Sequence, residues 1–197
     1  MSKHVPGKNQ KRTGRAEHRS TAQLRSEHDH HDKDVFTHIH CSLITVSTSR
    51  YDGLQNGKRL KDESGDMLEK LLKGAGHKVA SRALVPDSIA QIRSAVLSAT
   101  RLRDVKLIVL VGGTGMSRTD VTYDAIRPLF QREMFGFGEA FRSASVLQVG
   151  LDGMFTRAAL GITDDDKVLV SLPGSINGVR TGAELLVKII PHLMSFT

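Results

Sequence analysis

The chain has 197 residues, 39% of them hydrophobic and 25% charged, with a formal net charge of +7. That is enough for one domain with a sizeable core and a tail; no apolar run approaches the roughly 20 residues of a membrane span, and the polar N-terminus has no apolar stretch of the secretory-signal kind. Cys41 is the only cysteine, which rules out an internal disulfide and makes the reducing cytoplasm the expected compartment.

The charge is unevenly spread. Residues 1–34 carry 8 Lys/Arg and 5 Asp/Glu, leaving 20 and 16 in the remainder, which is only mildly basic. No basic helix or aromatic RNA-binding motif accompanies the charge, so the expected partner is an acidic small molecule rather than nucleic acid. Val5 and Leu24 are the only large aliphatics in residues 1–34. Such a segment cannot bury enough surface to offset its ordering entropy, so 1–34 reads as a disordered tail and 35–197 as the folded domain. The tail's His28-Asp-His-His-Asp32 has metal-ligand residue types but no scaffold to hold them, and reads as solvated.

Residues 35–46 form the first strand candidate, with His38 and His40 on one face by the period of two. A polar loop follows at Ser47-Thr-Ser-Arg50, then a turn-rich connection over 52–56. Asp62-Glu-Ser-Gly65 opens a helix whose Met67, Leu68, Leu71, Leu72 and Ala75 share an apolar face; Asp62 or Ser64 can cap it. Residues 79–85 read as a strand ending in Pro86-Asp87, and Ile89, Ile92, Val96 and Ala99 mark a helix for which Asp87 or Ser88 is the natural N-cap.

The most informative stretch is Lys106-Leu-Ile-Val-Leu-Val111, a buried strand, followed by Gly112-Gly-Thr-Gly115 and Asp120. Glycine there permits a sharp turn and lets N–H groups approach a ligand with no Cβ in the way. A helix is expected over 123–132, capped by Asp120 or Thr122, so the loop is a strand-to-helix turn where anions bind in α/β proteins. It is neither a Walker loop nor a dinucleotide fingerprint, because Gly-Lys-Ser/Thr and Gly-x-Gly-x-x-Gly are both absent. Phe135-Gly-Phe-Gly-Glu139 reads as a break between helices, 139–146 as helix, 154–160 as a short helix, and Asp164-Asp-Asp166 as a solvated turn. A strand over 168–172 ends in Pro173-Gly-Ser175, and a last helix runs from 176 to 193 with Pro191 as a kink or break.

Strands alternate with helices, which predicts an α/β fold with a parallel sheet covered on both faces. Four strands end in polar or glycine loops, and in an open parallel sheet those ends share one edge, where the crevice lies. Asp87 and Asp120 reach the same edge. Two carboxylates beside a phosphate site suggest a divalent cation, because otherwise they repel the anion.

Gly112-Gly-Thr-Gly115 with Asp120, Gln131-Arg-Glu133, Gly136-Phe-Gly-Glu139-x-x-Arg142 and Leu172-Pro-Gly-Ser175 together resemble the MoaB/Mog family of molybdenum-cofactor biosynthesis. Thr45-Val-Ser-Thr-Ser-Arg50 and Asp62-Glu-Ser-Gly65 are more similar to its MoaB branch. The resemblance covers about residues 36–196. It implies a three-layer α/β/α fold with a mostly parallel central sheet, and a homo-oligomer, trimer or hexamer. It also implies binding of molybdopterin, with transfer of AMP from ATP to the terminal phosphate of molybdopterin in the presence of Mg2+. The family's two acidic positions fall on Asp87 and Asp120, the expected catalytic and metal-holding residues. Gly112, Gly113, Thr114, Gly115, Glu139, Pro173, Gly174 and Ser175 are the expected substrate contacts, and Ser47, Arg50, Ser64 and Gly65 the expected nucleotide contacts. A non-catalytic molybdopterin carrier and an oligomeric platform are the competing readings; retention of both aspartates favours the enzyme.

Overall fold

The central strands are set by apolar runs that bury both faces. In a computed structural model, which describes Met1 and residues 38–58 and 61–197, six strands form one sheet in the order β2-β1-β3-β6-β5-β4. These are β1 His40–Val46, β2 Lys78–Val85, β3 Val105–Val111, β4 Arg132–Glu133, β5 Ala159–Ile162 and β6 Val168–Leu172. β1, β2, β3 and β6 are mutually parallel. The helices are α1 Thr48–Gln55, α2 Glu63–Gly74, α3 Ile89–Thr100, α4 Thr122–Ile126, α5 Phe135–Val149 and α6 Ile176–Leu193. The expectations for the tail, including its histidines, and for residues 35–37 of the first strand lie outside the described residues.

β3 shows how the layers arise. Leu107, Val109 and Val111 pack with Leu68 and Leu72 of α2, Phe137 and Phe141 of α5, and Val179, Leu186 and Ile190 of α6. Ile108 and Leu110, on the opposite face, pack with Ile92 and Val96 of α3 and Ala125 and Ile126 of α4. One continuous apolar strand thus serves two cores, as the expected three-layer α/β/α arrangement requires. Cys41 is fully buried in the first of them, which pushes its thiol up to about 12.

Several local expectations are overturned. Residues 48–55 are helical rather than loop and turn: Ser47 caps α1 by accepting from Arg50 N–H at 3.4 Å. α1 is polar and buries only Gly53, so it carries no apolar stripe. The helix expected over 123–132 stops early. α4 passes into a 3-10 turn, Arg127–Leu129, that contains Pro128, and the chain then joins the sheet edge through Gln131 N–H to Ile162 O at 2.8 Å.

No break interrupts residues 135–139, because α5 runs through both glycines. Phe137 and Phe141, four residues apart, are both buried in the core. Gly138 is there for packing, since a Cβ on it would lie 2.8 Å from the Ala158 carbonyl oxygen, whereas one on Gly136 meets nothing within 4 Å. The expected helix over 154–160 is instead a 3-10 turn, Gly150–Met154, then irregular chain and β5. Sheet pairing overrides the helix propensity of Ala159 and Leu160: β5 runs antiparallel to β6, and β4 antiparallel to β5. Pro191 does not break α6, whose end is held by buried Ile190 and Leu193.

The two glycines of α5 separate packing from turning. Gly138→Ala should destabilise the fold by about 1–3 kcal/mol through overpacking against the Ala158 carbonyl. Gly136→Ala, with open space around it, should be neutral or stabilising by about 0.4–1 kcal/mol. Denaturant unfolding of both variants checks this, and equal losses would mean that both glycines are needed as a turn.

Candidate functional site

The parallel strands end together, and their loops pack backbone to backbone. Gly112 and Gly113 have φ of 109° and 62°, a region that disfavours side chains. A Cβ on Gly112 would run into the Val46 carbonyl at the end of β1, and one on Gly174 would lie 3.4 Å from Gly112 Cα. Thr122, fully buried, closes the loop by donating its hydroxyl to Gly112 O at 2.8 Å and its N–H to Gly113 O at 3.0 Å. The loop after β3 is thus wedged between those after β1 and β6.

Both aspartates lie against this loop. Cβ atoms built on Gly113 and Gly115 would come within 2.7 Å of Asp87 Oδ1 and 2.8 Å of Asp120 Oδ2, respectively. Those two glycines are two peptide units apart, at most roughly 7 Å. Neither aspartate caps the helix that local sequence suggests: the N-cap positions of α3 and α4 are Ser88 and Val121, both without a side-chain cap bond. Asp87 Oδ2 instead accepts from the N–H and the hydroxyl of Thr48, at 3.0 and 2.9 Å, and so caps α1 from the neighbouring strand. Asp120 Oδ2 accepts from Ser117 N–H at 3.1 Å. Among the described residues, Asp87 Oδ1 and Asp120 Oδ1 accept no hydrogen bond, so each carboxylate keeps one oxygen for a ligand.

A cavity of about 520 Å³ opens at these strand ends, within the roughly 300–1,000 Å³ of small-molecule sites. Of the residues expected from sequence, Ser47, Asp87, Gly112, Gly113, Thr114, Gly115, Asp120, Pro173, Gly174 and Ser175 line it. Ser175 caps α6 by accepting from Gly178 N–H at 3.1 Å, which leaves its hydroxyl proton and the first N–H groups of a long helix for an anion.

Four expected residues do not line it. Ser64 stands behind the wall, donating its buried hydroxyl to Gly174 O at 2.5 Å. Gly65 belongs to the cap of α2, its N–H bonded to Asp62 Oδ1 at 3.1 Å. Arg50 is turned to Ser47 Oγ and to Lys61 O, at 3.4 and 3.2 Å. Glu139 is exposed on α5. His38 donates its Nδ1–H to Gly76 O at 2.7 Å rather than joining a cluster, and no group of three or more metal-ligating side chains occurs among the described residues.

The opposite wall was not foreseen. Phe141, Ser145, Gln148 and Asp152 line the cavity from α5 and the turn after it, facing Asn177 and Thr181 of α6. Thr181 donates its hydroxyl to Gln148 Oε1 at 3.1 Å. The spacing 141, 145, 148, 152 is helical, and it becomes visible once the helix expected over 139–146 is carried on to Val149 and the 3-10 turn beyond it.

Comparison with known proteins agrees with this geometry. Residues 42–193 match the family described as a probable molybdopterin binding domain. The chain belongs to the MoaB/Mog family. It is 38% identical to Molybdenum cofactor biosynthesis protein B of Bacillus cereus over 85% of this chain and 94% of the relative. It is 34% identical to Molybdopterin adenylyltransferase of Pyrococcus furiosus, over 84% and 95% respectively. The crystal structure of the tungsten cofactor synthesizing protein MoaB from Pyrococcus furiosus superposes with a TM-score of 0.74 at 32% identity, covering 82% of this chain and 98% of that one. The family match spans residues 42–193, so residues 1–34 lie outside that match.

Proposed function

We propose that this protein is a molybdopterin adenylyltransferase: it transfers AMP from ATP to the terminal phosphate of molybdopterin, with Mg2+, giving adenylyl-molybdopterin. The observation that carries the reading is the placement of Asp87 and Asp120 against one glycine loop, each with an oxygen left over. Relatives of this chain that bear the adenylyltransferase name cover it over most of its length.

The reaction asks little covalent chemistry of the protein. A terminal phosphate oxygen of molybdopterin attacks the α-phosphorus of ATP, the bond from that phosphorus to the oxygen bridging to the β-phosphate breaks, and pyrophosphate leaves. The nucleophile is already an anion, so no serine, cysteine or general base is required. Catalysis reduces to aligning two phosphates and offsetting their charge. The N–H groups of the glycine loop and of the α6 N-terminus hold phosphates, and Ser175 adds a hydroxyl donor. Asp87 and Asp120 fit Mg2+, which is commonly held by one or two carboxylates together with substrate phosphates. Mg2+ bound there supplies the positive charge that the two carboxylates and the phosphates lack.

We place the protein in the cytoplasm as a homo-oligomer, a trimer or a hexamer. Leu147, Leu151, Met154 and Phe155 are 88%, 71%, 57% and 63% exposed along the end of α5 and the turn beyond it, an apolar surface that association covers. No helix among the described residues is long and apolar enough to cross a membrane. Sedimentation should show no free monomer at micromolar concentration; a stable monomer contradicts the assembly.

The activity is tested by incubation with molybdopterin, ATP and Mg2+, followed by mass analysis of the pterin. Asp120→Asn and Asp87→Asn keep side-chain shape and should each cut turnover on the order of 10²-fold or more, as loss of other transition-state charge stabilisers does, with the fold and molybdopterin affinity little changed. Near-normal turnover in both variants contradicts the roles assigned to the aspartates. Bound molybdopterin with no adenylylated product from the unaltered protein would make it a carrier.

A further inference from the structure

We infer that Arg157 is a positioning residue for Asp120, fixing from behind the loop that presents this carboxylate to the cation; this rests on the adenylyltransferase reading. Arg157 lies in the irregular chain before β5, outside every motif of the family resemblance. Its guanidinium is half-buried beneath the glycine loop. Nε donates to Gly115 O at 3.1 Å, Nη2 to the Asp120 carbonyl, and Nη1 to Asp124 Oδ2 at 2.8 Å. Its own N–H donates to Thr114 O at 2.7 Å. The guanidinium carbon stands 5.8 Å from the centre of the Tyr123 ring, whose hydroxyl is held by Glu133 Oε1 at 3.1 Å.

These contacts close the loop between its two ends. Gly115 and Asp120 bracket the exposed turn over residues 116–119. Within the bracket, Asp120 N–H donates to Ser117 O at 3.0 Å and Ser117 N–H to Asp120 Oδ2 at 3.1 Å, and the carbonyls at both ends are held by Arg157. A single rigid fork that spans both carbonyls fixes where Asp120 starts, and Ser117 N–H then fixes Oδ2, so Oδ1 is left aimed by geometry rather than by chance. A lysine ammonium is a point donor on a flexible stem and cannot span the same three acceptors. The arrangement is that of an outer residue holding a metal ligand, whose loss typically costs about 10–100-fold in metal affinity or activity.

The structure also supplies a route for testing it. A second cavity, of about 230 Å³, is lined by Arg157 with Tyr123, Glu133, Arg142 and Thr156, and Thr156 also lines the first. Removal of the Arg157 side chain extends this cavity, which is large enough for a small guanidinium to re-enter.

The experiment compares the unaltered protein, Arg157→Ala and Arg157→Lys, each confirmed folded by its melting transition. Mn2+ affinity is read by electron paramagnetic resonance in the presence of α,β-methylene-ATP, which cannot be cleaved, and turnover is measured separately. Both variants should bind Mn2+ about 10–100-fold more weakly, and millimolar methylguanidinium should restore Arg157→Ala in part while leaving Arg157→Lys unchanged. Unaltered Mn2+ affinity in Arg157→Ala, or a loss that methylguanidinium does not touch, overturns the inference. The cation readout needs no adenylyl transfer, so failure of the positioning role and failure of the proposed reaction are told apart.

Discussion

Everything at the strand ends depends on how closely the backbone leaving β3 passes the backbone leaving β1. A side chain at Gly112 would collide with the Val46 carbonyl, and its φ of 109° excludes one in any case. The approach lets the β6 loop come within van der Waals contact on the other side, where Gly174 meets Gly112. It also leaves room beside Gly113 and Gly115 for Asp87 and Asp120. A bulkier loop would move both carboxylates and the N–H groups of the loop together, so the site is one packing solution rather than a collection of separate residues.

That solution is braced from the α2 side. Arg82 of the edge strand β2 reaches Asp62, Asp66 and Glu69 on and before α2, at 2.8, 2.7 and 2.8 Å. Asp62 caps α2 and also receives the Thr45 hydroxyl at 2.6 Å. Isolated exposed ion pairs contribute little, but here one guanidinium, three carboxylates and a cap act together on the first two turns of α2. The first turn carries Ser64, whose hydroxyl holds Gly174 O. Ser64 and Gly65 therefore influence the cavity through the loop that they support, without lining it.

The sequence made legible what burial dictates. β3 showed as a run of apolar residues, and α2, α3 and α6 as amphipathic periods, because each faces a core. The four strand ends and their two aspartates followed from the rule that parallel strands open on one edge. What escaped is local structure decided by distant partners. Gly138 reads as a turn, yet it is selected by the Ala158 carbonyl. β5 contains helix-favouring alanine and leucine, yet it pairs with β6. α1 has no apolar stripe, so nothing periodic announces it. Arg157 was invisible for another reason: two of its partners are backbone carbonyls, which no pattern of side chains records.

In the proposed enzyme one cation is shared by Asp87 and Asp120 at the glycine loop. Anomalous diffraction from crystals grown with Mn2+ in place of Mg2+, together with molybdopterin or α,β-methylene-ATP, tests this directly. A single Mn2+ peak is expected, with an oxygen of each aspartate at about 2.1 Å, as for Mg2+-type coordination. A peak held by only one of the two carboxylates, or located away from the loop, would contradict it.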